Sequence, residues 1–451
     1  MKAAAMTEHS QDVSGWGGHP RGLSTLFFTE MWERFSYYGM RAFLMLYMVA
    51  PAAQGGLGFD VPRAGSIYGT YTGSAWLATI GGGIVADRFL GAYRSVLVGG
   101  IIIALGHFTL AFHDLIFFYA GLTMIAVGTG LLKPNATTLL GSLYSEQDRR
   151  RDAGFSIFYS GINIGAFSGP IIAGALAERV DWHIGFACAG VGMTAGLVQY
   201  VLSRDRFKHV AVRPAASPAA GTPAAAAPSA PGARRLGFTT MEWKRMAVVF
   251  VFFVFATLFW AAYEQASSTL ALFADRNTNR TVSGWDVPAS WFVSIQALFV
   301  ILLAPVFAWL WVRLGAREPS TPAKFAIGLF FVGLSFILLL PAGAMAQRDI
   351  KVSMLWLVAA YFLQVIGELC LSPVGNSVVT KLAPAKVVGM MMGLWFLSIA
   401  AGNKLAGALA SASATIPLTT LFGWVAATTI AAAVVLFVIV RPIRRLMGGV
   451  H

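Results

Sequence analysis

Charge is scarce in this chain. Only 12% of its 451 residues are Asp, Glu, Lys or Arg, about half of the roughly 25% found in soluble domains, while 57% are hydrophobic. A soluble globular protein is thereby excluded. Cysteine is scarcer still. Cys188 and Cys370 both lie inside apolar runs, which excludes a disulfide framework, and seven scattered His show no metal-ligand spacing, so no metal site is expected. Residues Met1 to Arg21 lack the short apolar core and cleavage site of a signal peptide, and the first apolar segment is expected to stay as a span.

Long apolar runs are what the chain has instead. Val248 to Trp260, Phe325 to Leu340 and Val425 to Val440 are examples, and a helix needs about 20 mostly apolar residues to cross a bilayer. Twelve spans are predicted, at 23–50, 64–86, 95–112, 115–143, 152–176, 184–202, 243–273, 287–312, 323–340, 352–379, 388–410 and 416–440. The net charge of +13 would suggest a nucleic-acid partner in a soluble chain. Here most Lys and Arg fall in segments on the side of the N-terminus, so the positive-inside rule places both termini in the cytoplasm, and no nucleic acid is expected. Between the sixth and seventh spans, an Ala/Pro-rich stretch from Pro214 to Pro231 has basic flanks and nothing with which to build a core. It reads as a flexible linker.

The predicted organisation is a cytoplasmic N-terminus (1–22), a six-helix bundle (23–204), the linker (205–238), a second six-helix bundle (239–441) and a cytoplasmic tail (442–451). A weak internal echo supports the halving. Ala86-Asp87-Arg88-Phe89-Leu90-Gly91-Ala92-Tyr93-Arg94 follows the second span, and Arg313-Leu314-Gly315-Ala316-Arg317 follows the eighth. The fold class is thus an all-α membrane protein with the architecture of the major facilitator superfamily, whose substrate site lies between the halves near mid-membrane.

An ionisable side chain at mid-membrane costs about 2.5–3.5 kcal/mol even on a lenient scale, so each needs a reason. The first span holds Glu30, Glu33, Arg34 and Arg41, and with Tyr37 and Tyr38 they fall at helical offsets on one stripe. A salt-bridge lattice between helices would account for part of it. Two hydroxyls and two positive charges exceed what such a lattice requires, which points to a binding cavity. Lys133, Glu264, Glu368 and Lys404 add buried charges of both signs, suited to a zwitterionic substrate. Gly128-Thr-Gly-Leu-Leu-Lys133 has the wrong spacing for a phosphate loop and no preceding strand. Its glycines serve helix packing, and Pro134 a kink. For Lys404 a snorkelling or packing role is at least as well supported as a functional one.

The segment Glu30-Met-Trp-Glu33-Arg34-Phe35-Ser36-Tyr37-Tyr38-Gly39-Met40-Arg41 resembles the E-x-x-E-R-F-x-Y-Y-G-x-R motif of the proton-coupled oligopeptide transporters. Phe158-Tyr159-Ser160-Gly161-Ile162-Asn163-Ile164-Gly165 is similar to that family's fifth-span signature, and Phe259-Trp260-Ala-Ala-Tyr263-Glu264-Gln265 to its seventh span. Gly82 through Arg94 resembles the superfamily loop motif, with Asp87, Arg88 and Arg94 as its conformational residues. The resemblance implies that Arg34 and Lys133 receive a peptide carboxylate, and that Asn163 and Glu368 receive the amino terminus. It implies that Arg41 pairs with Glu264 in a proton-sensitive link, with Glu30 and Glu33 also on the coupling path. Trp260 and Trp395 line the pocket with Tyr37 and Tyr38. Two departures stand out: Gln296 replaces an amino-terminus-binding Asn and its following Pro is absent, and Trp76 stands where many members have Tyr. The linker is too short and polar for the extra helix pair many bacterial members carry.

At the level of function the resemblance implies a proton-coupled symporter that imports di- and tripeptides across the cytoplasmic membrane by alternating access. It would need no cofactor beyond the proton gradient, with peptide, protons and lipid as partners and the monomer as working unit. The alternatives are another small solute on the same fold, such as nitrate or an amino-acid-like compound, and an integral-membrane enzyme. Against the enzyme, no Ser/His pair, metal cluster or water-activating carboxylate pair is legible.

Overall fold

The computed structural model describes residues 12–145, 148–207, 238–384 and 387–448. Twelve long helices follow the apolar runs: α1 (Arg21–Val49), α2 (Val61–Val85), α3 (Ala92–Leu110), α4 (Leu115–Ser142), α5 (Arg151–Arg179), α6 (Trp182–Leu202), α7 (Thr240–Asn277), α8 (Trp291–Leu314), α9 (Thr321–Ala346), α10 (Leu355–Leu382), α11 (Val388–Ala412) and α12 (Leu418–Val438). A short α13 (Val440–Met447) ends the described chain. Among the described residues, nine of these helices are long and apolar enough to cross a membrane by composition alone. The other three are α1, interrupted by Glu30, Glu33, Arg34 and Arg41, the Gly-, Thr- and Tyr-rich α2, and α11, which carries Asn403 and Lys404.

Among the expected spans that start late, two do so because of a partner distant in sequence. Val352–Ser353 (β4) pairs in parallel with Thr278–Asn279 (β1), so α10 begins at Leu355 rather than at 352. Helix α8 begins at Trp291 rather than at 287, because the N–H groups of Ala289 and Ser290 donate to the Glu178 carboxylate at the end of α5, each at 2.8 Å. Thr281–Val282 (β2) and Trp285–Asp286 (β3) form a small antiparallel ladder before it. These two-residue strands depart from the all-α expectation, being too short to show a period of two.

Two compact units emerge. One comprises Met1–Asp60, Ser74–Ala216 and Thr281–Ile301, the other Val61–Gly73, Ser217–Arg280 and Leu302–His451, as far as their residues are described. The ends of α2 and of α8 therefore belong to different units, a division finer than one at the linker. Of the linker itself, 208–237 lie outside the described residues. Its expected first residues, 205–207, close a 3₁₀ turn (Arg204–Phe207) whose Phe207 ring is buried beside Tyr93 and Tyr200, with ring centroids 5.8 Å from each.

In the first unit, glycine sets how near helices approach. Gly161, Gly165 and Gly169 of α5 recur every fourth residue, on one face. A β-carbon at each would stand 2.9, 2.1 and 2.4 Å from the carbonyl oxygens of Phe27, Met31 and Phe35 on α1. Helix α5 lies backbone to backbone on α1, as small-residue seams in membranes permit. Pro134, inside α4, lacks the N–H that would bond Gly130 O. Gly82 of α2 packs against that carbonyl.

In the second unit, the start of α2 packs on α11 by the same device. Gly65 and Gly69 meet the backbone of Gly407, and Gly73 that of Ala400. The Lys404 ammonium donates to Thr70 Oγ1 at 2.5 Å. The packing alternative for Lys404 is the one this geometry favours.

The seam makes a stability prediction. Gly165→Val should destabilise the protein by about 1–3 kcal/mol, the usual cost of overpacking. Gly81→Ala, at a site with nothing within 4 Å of a β-carbon, should melt like wild type. Thermal unfolding of both purified variants checks this, and equal melting temperatures would mean that α5 is free to move off α1.

Candidate functional site

The stripe predicted on α1 is real and buried. Glu30, Glu33, Arg34, Tyr37 and Arg41 are each at most 3% exposed, and Tyr38 is half-buried. Arg34 holds both oxygens of Glu33, through Nε and, at 2.5 Å, through Nη2. Its Nε also lies 3.6 Å from Glu30 Oε1. Its guanidinium carbon stands 5.0 and 5.7 Å from the ring centroids of Tyr37 and Tyr38, and that of Arg41 at 5.8 and 6.0 Å from the same rings. Two cations thus share one pair of aromatic faces, a weakly hydrated setting in which such contacts are worth most. Glu30 Oε2 is buried without a hydrogen-bond partner among the described residues.

Lys133, on α4, faces the same stripe electrostatically: it is attracted by Glu30 and Glu33 and repelled by Arg34 and Arg41. Its ammonium sits 3.7 Å from the centroid of the Trp76 ring. It makes no hydrogen bond or ion pair with any described residue. Trp76, noted in the sequence only as a departure, is therefore part of this cluster; its position one helical turn before Ile80 gave no hint of it.

Asn163 is 8% exposed and donates through Nδ2 to Tyr159 O, one turn earlier on α5, at 3.0 Å. That bond uses one of the two amide N–H donors and orients the amide, whose oxygen is its acceptor. The glycine seam explains its placement, since Gly161 and Gly165 fix α5 against α1 on either side of it. Gln296 is 7% exposed on the first half of α8. Two residues before it, Ser294 donates to Phe167 O at 2.7 Å, and Trp291 Nε1 donates to Ile171 O at 3.0 Å, so the same α5 positions it.

Of the remaining expected residues, Trp260, Glu264, Glu368 and Trp395 belong to the second unit. The Tyr263 hydroxyl donates a hydrogen bond to Glu368 Oε2. Phe259, Trp260 and Tyr263 form one aromatic group, with Tyr263 5.7 Å from Phe259 and 5.6 Å from Trp260 between centroids. Trp260 Nε1 is a buried donor without a partner among the described residues. Trp395 is 3% exposed, packed over Gly375 and edge-on to Phe325 at 6.1 Å. Tyr263 is the residue the sequence reading missed, although its i+3 spacing from Trp260 was available as a signal.

Glu264 falls where α7 stops being regular. Glu264–Ser267 is a 3₁₀ turn, and Ser268 leaves helical geometry at φ −125°, ψ −94°. Gln265, 1% exposed, braces the break by donating to Ala261 O at 3.0 Å and to Ala406 O of α11 at 3.4 Å. A tightened turn inside a long helix often marks a hinge. The loop residues behave differently. Asp87 and Arg88 lie in a π-turn closing α2, before Gly91 at φ 76°, and Arg94 in the first turn of α3. All three are exposed.

Chemically, the first unit offers cations seated on aromatic faces beside two carboxylates, and the second offers a carboxylate with its own hydroxyl donor. Among the described residues no group of three metal-ligating side chains converges.

A sequence profile described as the POT family matches residues 93–220 and 238–429. An uncharacterised transporter of Bacillus subtilis (strain 168) is 41% identical, covering 97% of this chain and 96% of its own. A di-/tripeptide transporter of Lactococcus lactis subsp. cremoris is 35% identical over 96% of this chain and 98% of its own. Among solved structures, the peptide transporter POT, crystallised with sulfate and with alafosfalin, superimposes with a TM-score of 0.88 at 38% identity, covering 99% of both chains.

The buried Arg34 cluster makes its own prediction. Glu33→Gln leaves a guanidinium inside the bundle with its main counter-charge gone, which should cost about 3–5 kcal/mol. The double variant Glu33→Gln/Arg34→Gln should recover part of that loss. Thermal unfolding of wild type, single and double variants tests this, and a single variant that melts like wild type would mean that Arg34 is neutralised elsewhere.

Proposed function

The chain belongs to the POT family, and on that premise we propose that it is a proton-coupled symporter that imports di- and tripeptides by alternating access. It is a transporter and not an enzyme. We place it as a multi-pass protein of the cytoplasmic membrane with both termini on the cytoplasmic side, working as a monomer without a cofactor. The observation that carries the reading is Lys133: a partly buried ammonium whose close partner is an aromatic face is incomplete until an anion arrives. A peptide carboxylate completes it, with Arg34 beside it. Asn163 and Glu368 then receive the ammonium end, and Gln296 presents its amide to the same end. Tyr37, Tyr38, Trp260 and Trp395 supply walls that accept varied side chains. Nitrate would need only the cations, and would leave Glu368 and Asn163 without a task.

For coupling, we propose that Glu264 carries the decisive charge, with Arg41 as its counterpart and Glu30 and Glu33 beside it on the proton path. A proton entering with a zwitterionic peptide moves one net positive charge inward, so the membrane potential adds about 2.3 kcal/mol per 100 mV. The break in α7 at Glu264 supports this, because a change of charge there acts on an irregular, deformable stretch rather than on a stiff helix. Asp87, Arg88 and Arg94 serve as the conformational loop.

Uptake of a labelled dipeptide into proteoliposomes should require an inward proton gradient, and gradient-independent accumulation would overturn the proposal. Lys133→Ala should erase discrimination between free and amidated carboxyl termini. Glu368→Gln should weaken only peptides with a free amino terminus. Equal losses of both analogues in both variants, measured by competition, would reverse or remove the assigned polarity. Glu264→Gln should abolish gradient-driven accumulation yet retain exchange of labelled for unlabelled peptide. Full accumulation by that variant would move the proton to Glu30 or Glu33.

A further inference from the structure

The strongest unassigned feature lies at the end of the described chain. Helix α12 closes on exposed apolar side chains, Phe437 at 68% and Val438 at 70%, which inside a membrane are lipid-facing. After Ile439 the chain turns at once into α13. Ile443 and Met447, four apart, are buried, and α13 packs through this face on α7, α9 and α12. Arg441, Arg444 and Arg445 occupy the opposite face and are exposed. With its apolar face taken up by the protein and its start joined to the end of a span, α13 leaves its arginine face at the membrane surface.

A fourth arginine lies at the end of this helix. Gly448 ends α13 in the left-handed region at φ 65°, and a β-carbon there would stand 3.5 Å from Arg245 Nη2 on the opening turns of α7. Arg245 Nε is buried and has no hydrogen-bond partner among the described residues. The nearby carboxylate of Glu242 is engaged by the Thr239 N–H at 2.7 Å, in the capping box that starts α7. Trp243, 41% exposed beside it, is the residue type that anchors at the membrane interface.

We propose that Arg245, Arg441, Arg444 and Arg445 form a binding site for the phosphate of an anionic phospholipid, whose acyl chains lie along the exposed apolar end of α12. The geometry favours a lipid over a soluble anion, because the exposed arginines of α13 follow the exposed apolar end of α12 with only Ile439 and Val440 between them in the chain. Guanidinium groups bind phosphate oxygens through paired N–H donors, and Arg245 has a donor unspent. The proposal is independent of what the protein transports and needs only that α12 spans a bilayer.

Native mass spectrometry of the delipidated full-length protein, titrated with phosphatidylglycerol or phosphatidylcholine, tests it. Wild type should retain phosphatidylglycerol in preference to phosphatidylcholine. The triple variant Arg441→Gln/Arg444→Gln/Arg445→Gln should lose that preference by roughly threefold or more, as expected when several basic residues leave an anionic surface. Dipeptide exchange by the variant in phosphatidylcholine vesicles should equal that of wild type, which shows it folded. If the triple variant does not fold, Arg444→Gln and Arg445→Gln singly carry the same test with smaller shifts. Equal retention of the two lipids by wild type, or an undiminished preference in the folded variants, overturns the proposal. Displacement of phosphatidylglycerol by an equal concentration of inorganic phosphate would overturn the lipid assignment and leave a simple anion site.

Discussion

The dominant constraint on this protein is that a charge inside a bilayer must be neutralised where it stands. Arg34, 2% exposed in the middle of α1, meets it with Glu33 as next neighbour, Glu30 one turn away and two tyrosine rings. Because α1 gives one face to this cluster, its other surroundings must be packed tightly enough to keep lipid and bulk water away. The Gly161, Gly165 and Gly169 seam does this, placing α5 against the α1 carbonyls. A larger residue there would move Asn163 as well as loosen the bundle. The packing of this seam therefore also fixes where Asn163 stands.

The same constraint explains an asymmetry between the two cations of the first unit. Arg34 is saturated by carboxylates, whereas Lys133 rests on the face of Trp76 and senses those carboxylates only at longer range. In the proposed role the two act together on a peptide carboxylate, Lys133 as the cation whose close contact is an aromatic ring and Arg34 as the one already held in place. In the second unit Glu368 is intermediate: one oxygen is bonded by Tyr263, which orients the carboxylate without removing its charge.

Much of this was legible in the sequence because membrane helices advertise themselves. The first span was expected at 23–50 and runs from Arg21 to Val49; the eleventh was expected at 388–410 and runs from Val388 to Ala412. The α1 stripe was legible because 3.6-residue periodicity alone places Glu30, Arg34, Tyr37 and Arg41 on one face. What escaped was tertiary. Nothing local in Val287-Pro288-Ala289-Ser290 says that Glu178, more than a hundred residues earlier, will take its N–H groups and postpone the helix. The irregular turn at Glu264 depends on Gln265 reaching Ala406, and the Trp76 contact on two helices meeting. Neither leaves a mark on periodicity.

The hydrogen bond from Asn163 Nδ2 to Tyr159 O has a consequence for what evolution can place at that position. Aspartate is nearly the same size and would attract an ammonium group more strongly. It cannot donate, however, so its oxygen would face the Tyr159 carbonyl, and it would add a negative charge to a unit whose α1 stripe already contains two. The amide thus does two things at once: it anchors itself to the helix, and it offers an acceptor without changing the net charge of the unit. In the role proposed for it, the amide attracts an ammonium group without adding a titratable site.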